Sequence, residues 1–579
     1  MQNNNIFLQP QTSSHFVFAL SPTDNTVAII DSNSLAIRSV NLPSDPEAIA
    51  VIPGSDAAVI VEKAGQSVSY ISCTSSGCSL QSQKTARHYP GITVSPDGLW
   101  AILWTPDPAV PDEGAEGIVG IVDVGHLAAG TPVPIVERAT GRRDTNAFFR
   151  TVSGTSVEAV IVGEQAAAIV TLQSLATQPL PKMVMIPSDY AAIESRQAVV
   201  SPDGAWLLMR SYASQNVGVF DVAAQQFQLL LMPGTPTDLE LSQDGTEAVA
   251  VLRDTALVTA FPLPGALTDA SLIMTVSDAI PLASCTPPDG GSHPDAGAPS
   301  DAGTTVDAGN TADAGTSVDA GSTVDAGNIA DSGNSTDAGT SVDAGATPSD
   351  GGQQDADAGG DTDAGGDTDA GLTMPSPSPA CTVAAGQVAI SSNGKLAVLF
   401  TNVQQTSTFA TLDLETGTVT NFSGLEKWVN SLGIGPDNHS VVVLHTPNPN
   451  STVADSYQQM VDKSQGFSIV DLNAGVAQLN LTNAIPPQFF LFASDGTHAA
   501  VTLTDSSSTF EIDAIDLQSL VTSSLALAAA PQFAGPFSGS TPMVWVSQSD
   551  PAGRVSFVNL ATQQVQTATG FALNSGITP

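Results

Sequence analysis

Positive charge is scarce in this 579-residue chain: Lys and Arg together number 16 against 57 Asp and Glu, a formal net charge of −41. Neutralising nucleic-acid phosphates needs clustered cations, so nucleic acid is excluded as a partner, and an anionic membrane surface is repelled. No apolar run approaches the roughly 18 residues of a membrane span. The stretch Met1 to His15 has neither the basic nor the apolar segment of a secretory leader, so no signal peptide is expected there. The seven His form no HExxH and no zinc spacing with Cys, and GxSxG, P-loop and GxGxxG motifs are missing. Metal and nucleophile chemistry thus have no sequence support, and no cofactor is expected. Cysteine is also rare, with four in all.

Those four Cys are placed tellingly. Cys73 and Cys78 flank Thr-Ser-Ser-Gly, the composition of a hairpin tip, and Cys285 and Cys381 bracket an acidic tract. Two disulfides, Cys73 to Cys78 and Cys285 to Cys381, fit an oxidising compartment, the periplasm or the cell surface; four free thiols would fit the cytoplasm. Residues 286 to 373 hold 17 Asp and no Glu, Lys or Arg. Setting those 17 aside leaves 40 acids against 16 bases, so the rest of the chain is acidic too.

Repetition is what the chain has in abundance. The parent unit is Ser95 to Pro108, SPDGLWAILWTPDP, read as a tight turn followed by a buried strand. Relatives of it begin at Phe18, Ala48, Phe148, Val199, Leu239, Ala389, Gly433, Phe490 and Phe537, ten turns in total. Downstream of many lies an acid or amide between apolar residues, as in Val122-Asp123-Val124, Phe220-Asp221-Val222, Leu412-Asp413-Leu414, Val470-Asp471-Leu472, Ile515-Asp516-Leu517 and Val558-Asn559-Leu560, each expected to end a strand and open a turn. The Asp of the SPDG turns is expected to bond its own turn backbone.

Strand, Asp-Gly turn, strand, loop and a strand ending in Asp-Leu resembles a blade of the β-propellers of the WD40-like and YVTN-type families, with Phe, Val, Leu or Ile where the Trp of a Trp-Asp dipeptide would stand. The resemblance implies an all-β β-propeller of about ten blade-like repeats. A finer match argues for two blocks of five: Trp104-Thr105-Pro106-Asp107-Pro108 returns as His445-Thr446-Pro447-Asn448-Pro449, and Phe148-Phe149 as Phe489-Phe490, both 341 residues on. Leu172-Gln173-Ser174-Leu175 returns as Leu517-Gln518-Ser519-Leu520 after 345. One ring, two five-bladed rings and a seven- or eight-bladed ring with degenerate units all fit. The expected domains are repeats over 12–284, an acidic low-complexity insertion over 285–381 and repeats over 382–579. From Asp295 to Asp343 an acid stands at every sixth position, a composition that cannot bury a core and is expected to be disordered. Leu282-Ala283-Ser284-Cys285 spells a lipobox, but 284 residues precede its Cys, which makes the match a coincidence. The Asp-Thr-Asp pairs near Asp361 offer at most diffuse binding of divalent ions.

For function, the loops after the two Thr-Pro motifs are the candidates. In a propeller the loop between second and third strands lies opposite the SPDG turn, where loops of all blades converge. Trp104, Asp107, His445 and Asn448 are the expected binding residues of that rim. The expected role is a non-enzymatic binding or scaffold protein of the periplasm or cell surface, engaging a protein or glycan. The alternatives are a hydrolase or lactonase with carboxylates at the channel, and an intracellular scaffold if the thiols are free. Val199-Val200, Leu239-Glu240-Leu241, Ala389-Ile390 and Leu491-Phe492, the residues just before the turns, are apolar except for Glu240, which favours binding over catalysis.

Overall fold

The computed structural model describes residues 8–571 apart from 106–116, 132, 141–144, 176–179, 192–195, 279, 282–381, 404, 506–508 and 538–540. Its strands form ten four-stranded antiparallel sheets, each built from four consecutive strands. These are the blades: one 11–41, two 46–84, three 91–139, four 146–185, five 196–231, six 238–277, seven 387–422, eight 428–483, nine 487–526 and ten 531–569.

Burial explains how each blade sits. The second and third strands are apolar runs buried on both faces, such as Ala57–Glu62 and Thr26–Asp31, because each sheet is packed between two others. The fourth strands are largely exposed, as in Gln226–Leu231, so they form the outer wall. The first strands are half-buried, as in Arg196–Val200, and those of adjacent blades approach one another around the axis. The ten apolar clusters each unite two neighbouring blades. The tenth joins the last blade to the first, through Phe537, Trp545 and Phe557 against Val17, Ala28 and Ile30. The repeats therefore close as one ring of ten, which settles the choice between one ring and two.

The turns explain the repeat motif. In blade three the Ser95 hydroxyl donates to Asp97 Oδ1 at 2.7 Å, and the same oxygen accepts from Leu99 N at 3.1 Å. Asp97 Oδ2 also accepts from Ser156 N of blade four at 2.7 Å, so the turn ties one blade to the next. Gly204 of the blade-five copy has φ +67°, and a Cβ there would stand 2.0 Å from the Phe149 carbonyl oxygen, so only glycine fits. In blades seven, eight and ten the acid or amide that ends the third strand closes the next turn: Asp413 Oδ1 accepts from Glu415 N and Thr416 N, Asp471 Oδ1 from Asn473 N and Ala474 N, and Asn559 Oδ1 from Thr562 N.

One unit differs from the sequence reading. In blade one the first strand is Gln11–Thr12, its turn is Ser13 to His15, and Phe16–Ser21 is already the second strand. Ser21-Pro22 thus lies in the loop between second and third strands, on the opposite end from the other nine turns. The cause is local: Ser13 receives Phe16 N and donates to Asp56 of blade two, doing without Pro or Gly.

Two further features position the site. Six blades precede residues 282–381 and four follow, and Ile280–Pro281 pairs antiparallel with Thr382–Val383, with Ile280 opposite Val383. The chain thus leaves and re-enters the ring at one point, and both ring segments belong to one compact unit. The low-complexity tract, its expected disorder, the lipobox and the Cys285–Cys381 pair lie outside the described residues. Three short α-helices occur among the described residues: α1 (Val124–Ala128), α2 (Gly265–Thr268) and α3 (Ser456–Lys463).

Candidate functional site

The first and third strands of every blade start at one end of the ring, which therefore carries the second-to-third loops and the connections between blades. This is the loop face; the SPDG turns form the opposite, turn face. On the loop face the most elaborate described segment is the blade-eight loop, 447–464. It leaves the strand Ser440–Thr446 through Pro447 and Asn448 and ends in α3. Asp455 caps that helix, its Oδ1 accepting from Tyr457 N at 2.8 Å and Gln458 N at 3.0 Å.

Lys427 holds the helix in place from below. It is 2% exposed, and its Nζ donates to the carbonyl oxygens of Val461 at 2.5 Å, Ser464 at 2.8 Å and Asp462 at 3.3 Å. Those carbonyls lie at the helix end, where intrahelical donors run out, so one ammonium reaches all three, sharing the Asp462 oxygen with Asn448 N, and meets the negative end of the helix dipole. Burial pushes its pKa down to about 8, with the Asp462 carboxylate opposing. Asp462 stitches the loop together, accepting from Ser451 Oγ at 2.5 Å and Gln458 Nε2 at 2.8 Å. At the surface Tyr457 OH donates to Glu426 Oε2 at 3.0 Å, a bond that raises the phenol's pKa. Among its exposed side chains are three large apolar or aromatic ones, Val453 at 43% exposed, Tyr457 at 54% and Met460 at 48%, beside the polar Thr452, Asp455, Ser456 and Lys463.

The four residues expected at the rim separate. Asn448 is half-buried within this loop, its N donating to Asp462 O at 2.5 Å and its Oδ1 accepting from Asn450 N at 3.2 Å. Asp107 lies outside the described residues. Trp104 and His445 belong to the blade cores, each 3% exposed, because both strands run on through these positions before the chain turns. Trp104 Nε1 donates to Thr93 Oγ1 at 3.2 Å. His445 Nδ1 donates to the Trp428 carbonyl at 3.1 Å and Nε2 accepts from the Ser468 hydroxyl at 2.8 Å, the neutral tautomer, and burial lowers its pKa to about 3. Neither ring reaches the rim, so this correction leaves Asn448 and its loop as the described part of the expected site.

Sequence reasoning missed Lys427 and α3. An N-cap Asp455 before Ser-Tyr-Gln-Gln-Met-Val-Asp-Lys was a readable helix start, whereas Lys427 meets carbonyls 34 to 37 residues away and left no local signal.

Polar groups of the first strands link blade to blade. Gln197 Nε2 of blade five donates to Asp238 Oδ1 of blade six at 3.2 Å, and Asp238 Oδ2 accepts from Val388 N of blade seven at 3.0 Å. Arg196 Nη2 donates to Thr145 Oγ1 at 2.6 Å and Nη1 to the carbonyls of Gly163 and Tyr190 at 3.1 Å. On the turn face, a hollow of about 430 Å³ is lined by Leu99, Trp100, Asp123 and His126, with His126 Nδ1 held by Asp123 Oδ2 at 2.8 Å. A smaller hollow of about 180 Å³ lies where blade ten meets blade one, among Asn33, Met543, Asn559 and Gln564. Among the described residues no group of three or more His, Cys, Asp or Glu could hold a metal ion, and no helix is long and apolar enough to cross a membrane.

No protein-family model matches the chain, and no curated protein matches it. Solved structures do. A eukaryotic initiation factor is 10% identical, with 84% of this chain and 90% of that one covered at a TM-score of 0.41. The dihydro-heme d1 dehydrogenase NirN is 10% identical, with 90% and 75% covered at 0.38. The hydrazine synthase of Kuenenia stuttgartiensis is 16% identical, with 45% and 77% covered at 0.28. These likenesses concern the fold alone, and the chain is a ten-bladed β-propeller.

Proposed function

We propose that the protein is a non-enzymatic β-propeller that engages a protein or glycan through its loop face, in the periplasm or on the cell surface. The observation that carries this reading is the blade-eight loop: α3 is fastened from beneath by Lys427 and to the preceding loop through the Ser451 hydroxyl on Asp462, and the loop with its helix presents Val453, Tyr457 and Met460 to solvent. A pre-ordered apolar and aromatic group of this kind loses little entropy when a partner covers it. The first-strand groups Arg196, Gln197 and Asp238 are engaged in joining blades, which supports binding over a catalytic channel.

The double variant Tyr457→Ser/Met460→Ser is the direct test. Binding of the full chain to envelope material from its own organism should fall at least about tenfold, the loss of roughly 1.4 kcal/mol, with unchanged thermal stability. Equal binding by the variant would move the contact surface elsewhere.

The proposed compartment draws support from the Cys73–Cys78 disulfide, which joins directly opposed residues of the hairpin Ser67–Thr74 and Gly77–Lys84. We extend the proposal to Cys285 and Cys381, whose sequence neighbours Pro281 and Thr382 stand opposite each other. A non-reducing peptide map of the native protein should contain both bridges. Four free thiols would instead favour an intracellular scaffold.

A further inference from the structure

Three consecutive blades repeat one irregularity. In blade eight the pairing of first and second strands skips Asn430, between Val429 opposite His445 and Ser431 opposite Leu444. In blade nine it skips Gln488, between Pro487 and Phe489, and in blade ten Gln532, between Pro531 and Phe533. Each is a β-bulge near the start of the innermost strand, at the loop-face mouth of the channel. Each skipped residue is an exposed amide. None of the three side chains makes a hydrogen bond within the described protein. Blade two has the same bulge at Glu47, but there the carboxylate is engaged by His88 and lies 3.7 Å from Lys63.

Bulges in edge strands re-aim a side chain and break the ladder locally. Near each amide in the strand sits a partly buried aromatic: Trp428 two residues before Asn430, Phe489 after Gln488 and Phe533 after Gln532, the two Phe rings resting on the apolar core between blades. An exposed amide with an aromatic residue one or two positions away in the strand therefore recurs once per blade over three successive blades.

That chemistry selects a ligand. An amide both donates and accepts, which suits hydroxyl groups that do the same, and the apolar face of a sugar ring suits an aromatic surface. An anionic polymer is opposed by the chain's −41 net charge: Lys427 is buried and bonded to three carbonyls and Arg554 is paired with Asp550, which leaves Lys463 of α3 as the exposed cation of the blade-eight loop. An added peptide strand needs an uninterrupted row of edge N–H and C=O groups, which the bulges interrupt. A single sugar would meet one blade only.

We propose that Asn430, Gln488 and Gln532 form a binding arc for a neutral polysaccharide chain laid across blades eight, nine and ten at the loop-face mouth of the channel. The proposal rests on the loop-face binding reading and names the ligand class and the residues that select it.

The test is isothermal titration of the full native chain with neutral hexasaccharides of glucan, mannan, xylan and chitin, compared with Asn430→Ala/Gln488→Ala/Gln532→Ala. At least one hexasaccharide should bind, its disaccharide should bind at least about tenfold more weakly, and the triple variant should lose about fivefold per amide, roughly a hundredfold together. Gln488→Glu/Gln532→Glu keeps the side-chain length and removes donors, so it gives the same reading if the alanine variant is unstable. Binding of none of the four hexasaccharides, or equal affinity in the folded variants, overturns the proposal. Tyr457→Ser/Met460→Ser separates the two readings. If it abolishes envelope binding while no saccharide binds, loop-face recognition stands and the polysaccharide arc falls.

Discussion

Blades three and eight place different rings in the same slot. Trp104 and His445 stand 341 residues apart, each near the end of a second strand, each 3% exposed, each with a ring nitrogen bonded to the first strand of its own blade. The slot requires a flat side chain whose N–H reaches back to Thr93 Oγ1 or the Trp428 carbonyl; it does not require a particular ring. What differs is the charge chemistry. Indole does not titrate, whereas His445 is kept neutral by burial, with a second partner in Ser468, and blade eight adds the buried Lys427 next to it. Blade eight is the pH-sensitive version of a shared design.

The largest effect should come from volume. Trp104→Ala is expected to cost about 3–5 kcal/mol, measured as a shift in the denaturant midpoint, and His445→Ala less because a smaller ring leaves a smaller cavity. Equal losses would mean the ring nitrogen matters more than the filling.

A second effect separates the blades by pH. Between about 3 and the ordinary 6.5, unfolded His445 binds a proton that the native ring refuses, so stability rises with pH across that window and falls on acidification. His445→Trp should flatten that slope, read from stability at pH 4 and pH 6.5. Lys427 acts at the other end: between about 8 and 10.5 the unfolded lysine keeps a proton the native one has shed, so stability again rises with pH, and Lys427→Met removes that rise. An unchanged profile in either variant would break the comparison.

Lys427→Met should also loosen α3 without unfolding the blade. Amide exchange over 456–463 should quicken about tenfold, the equivalent of roughly 1.4 kcal/mol of local opening, while the strand Ser440–Thr446 stays protected.

The smallest difference lies in the turns. Asp97 reaches across to Ser156 N of the next blade, whereas Asp437 Oδ1 accepts only from His439 N and Ser440 N of its own turn. Asp97→Asn should therefore cost about 1 kcal/mol and Asp437→Asn less. The Asp97 contribution is lost as pH falls below the ordinary 3.8, because the bonds from Ser95, Ser156 and Leu99 outweigh burial and hold its pKa down.

Much of the fold was legible because its signals are short-range. An Asp bonding the next two or three backbone N–H groups, or a Ser-Pro-Asp-Gly turn, writes itself into adjacent residues, and nine of the ten turns lie where the repeats put them. Blade one escaped because its two-residue first strand and its Ser13 turn lack the motif, while Ser21-Pro22 imitates it in the next loop. Ring closure was illegible, since nothing near Val17 reveals that Phe557 will pack against it. For the site, Pro106 and Pro447 suggested that loops begin at Trp104 and His445. Burial within the pleat, a property of neighbouring blades, decided otherwise. The amides at 430, 488 and 532 were invisible for the same reason, as a bulge exists only relative to a partner strand.

Each blade of this ring is woven from its own stretch of chain, and the join between the tenth and the first is a meeting of side chains, Phe537, Trp545 and Phe557 on Val17, Ala28 and Ile30. A belt fastened by a shared strand would fix the number of links, because the buckle must always be half of one end and half of the other. Here the links are self-contained, so a whole one can be copied, lost or worn down by descent and the belt still has two ready ends to bring together. The 341-residue echo between blades three and eight is what such copying leaves in a lineage.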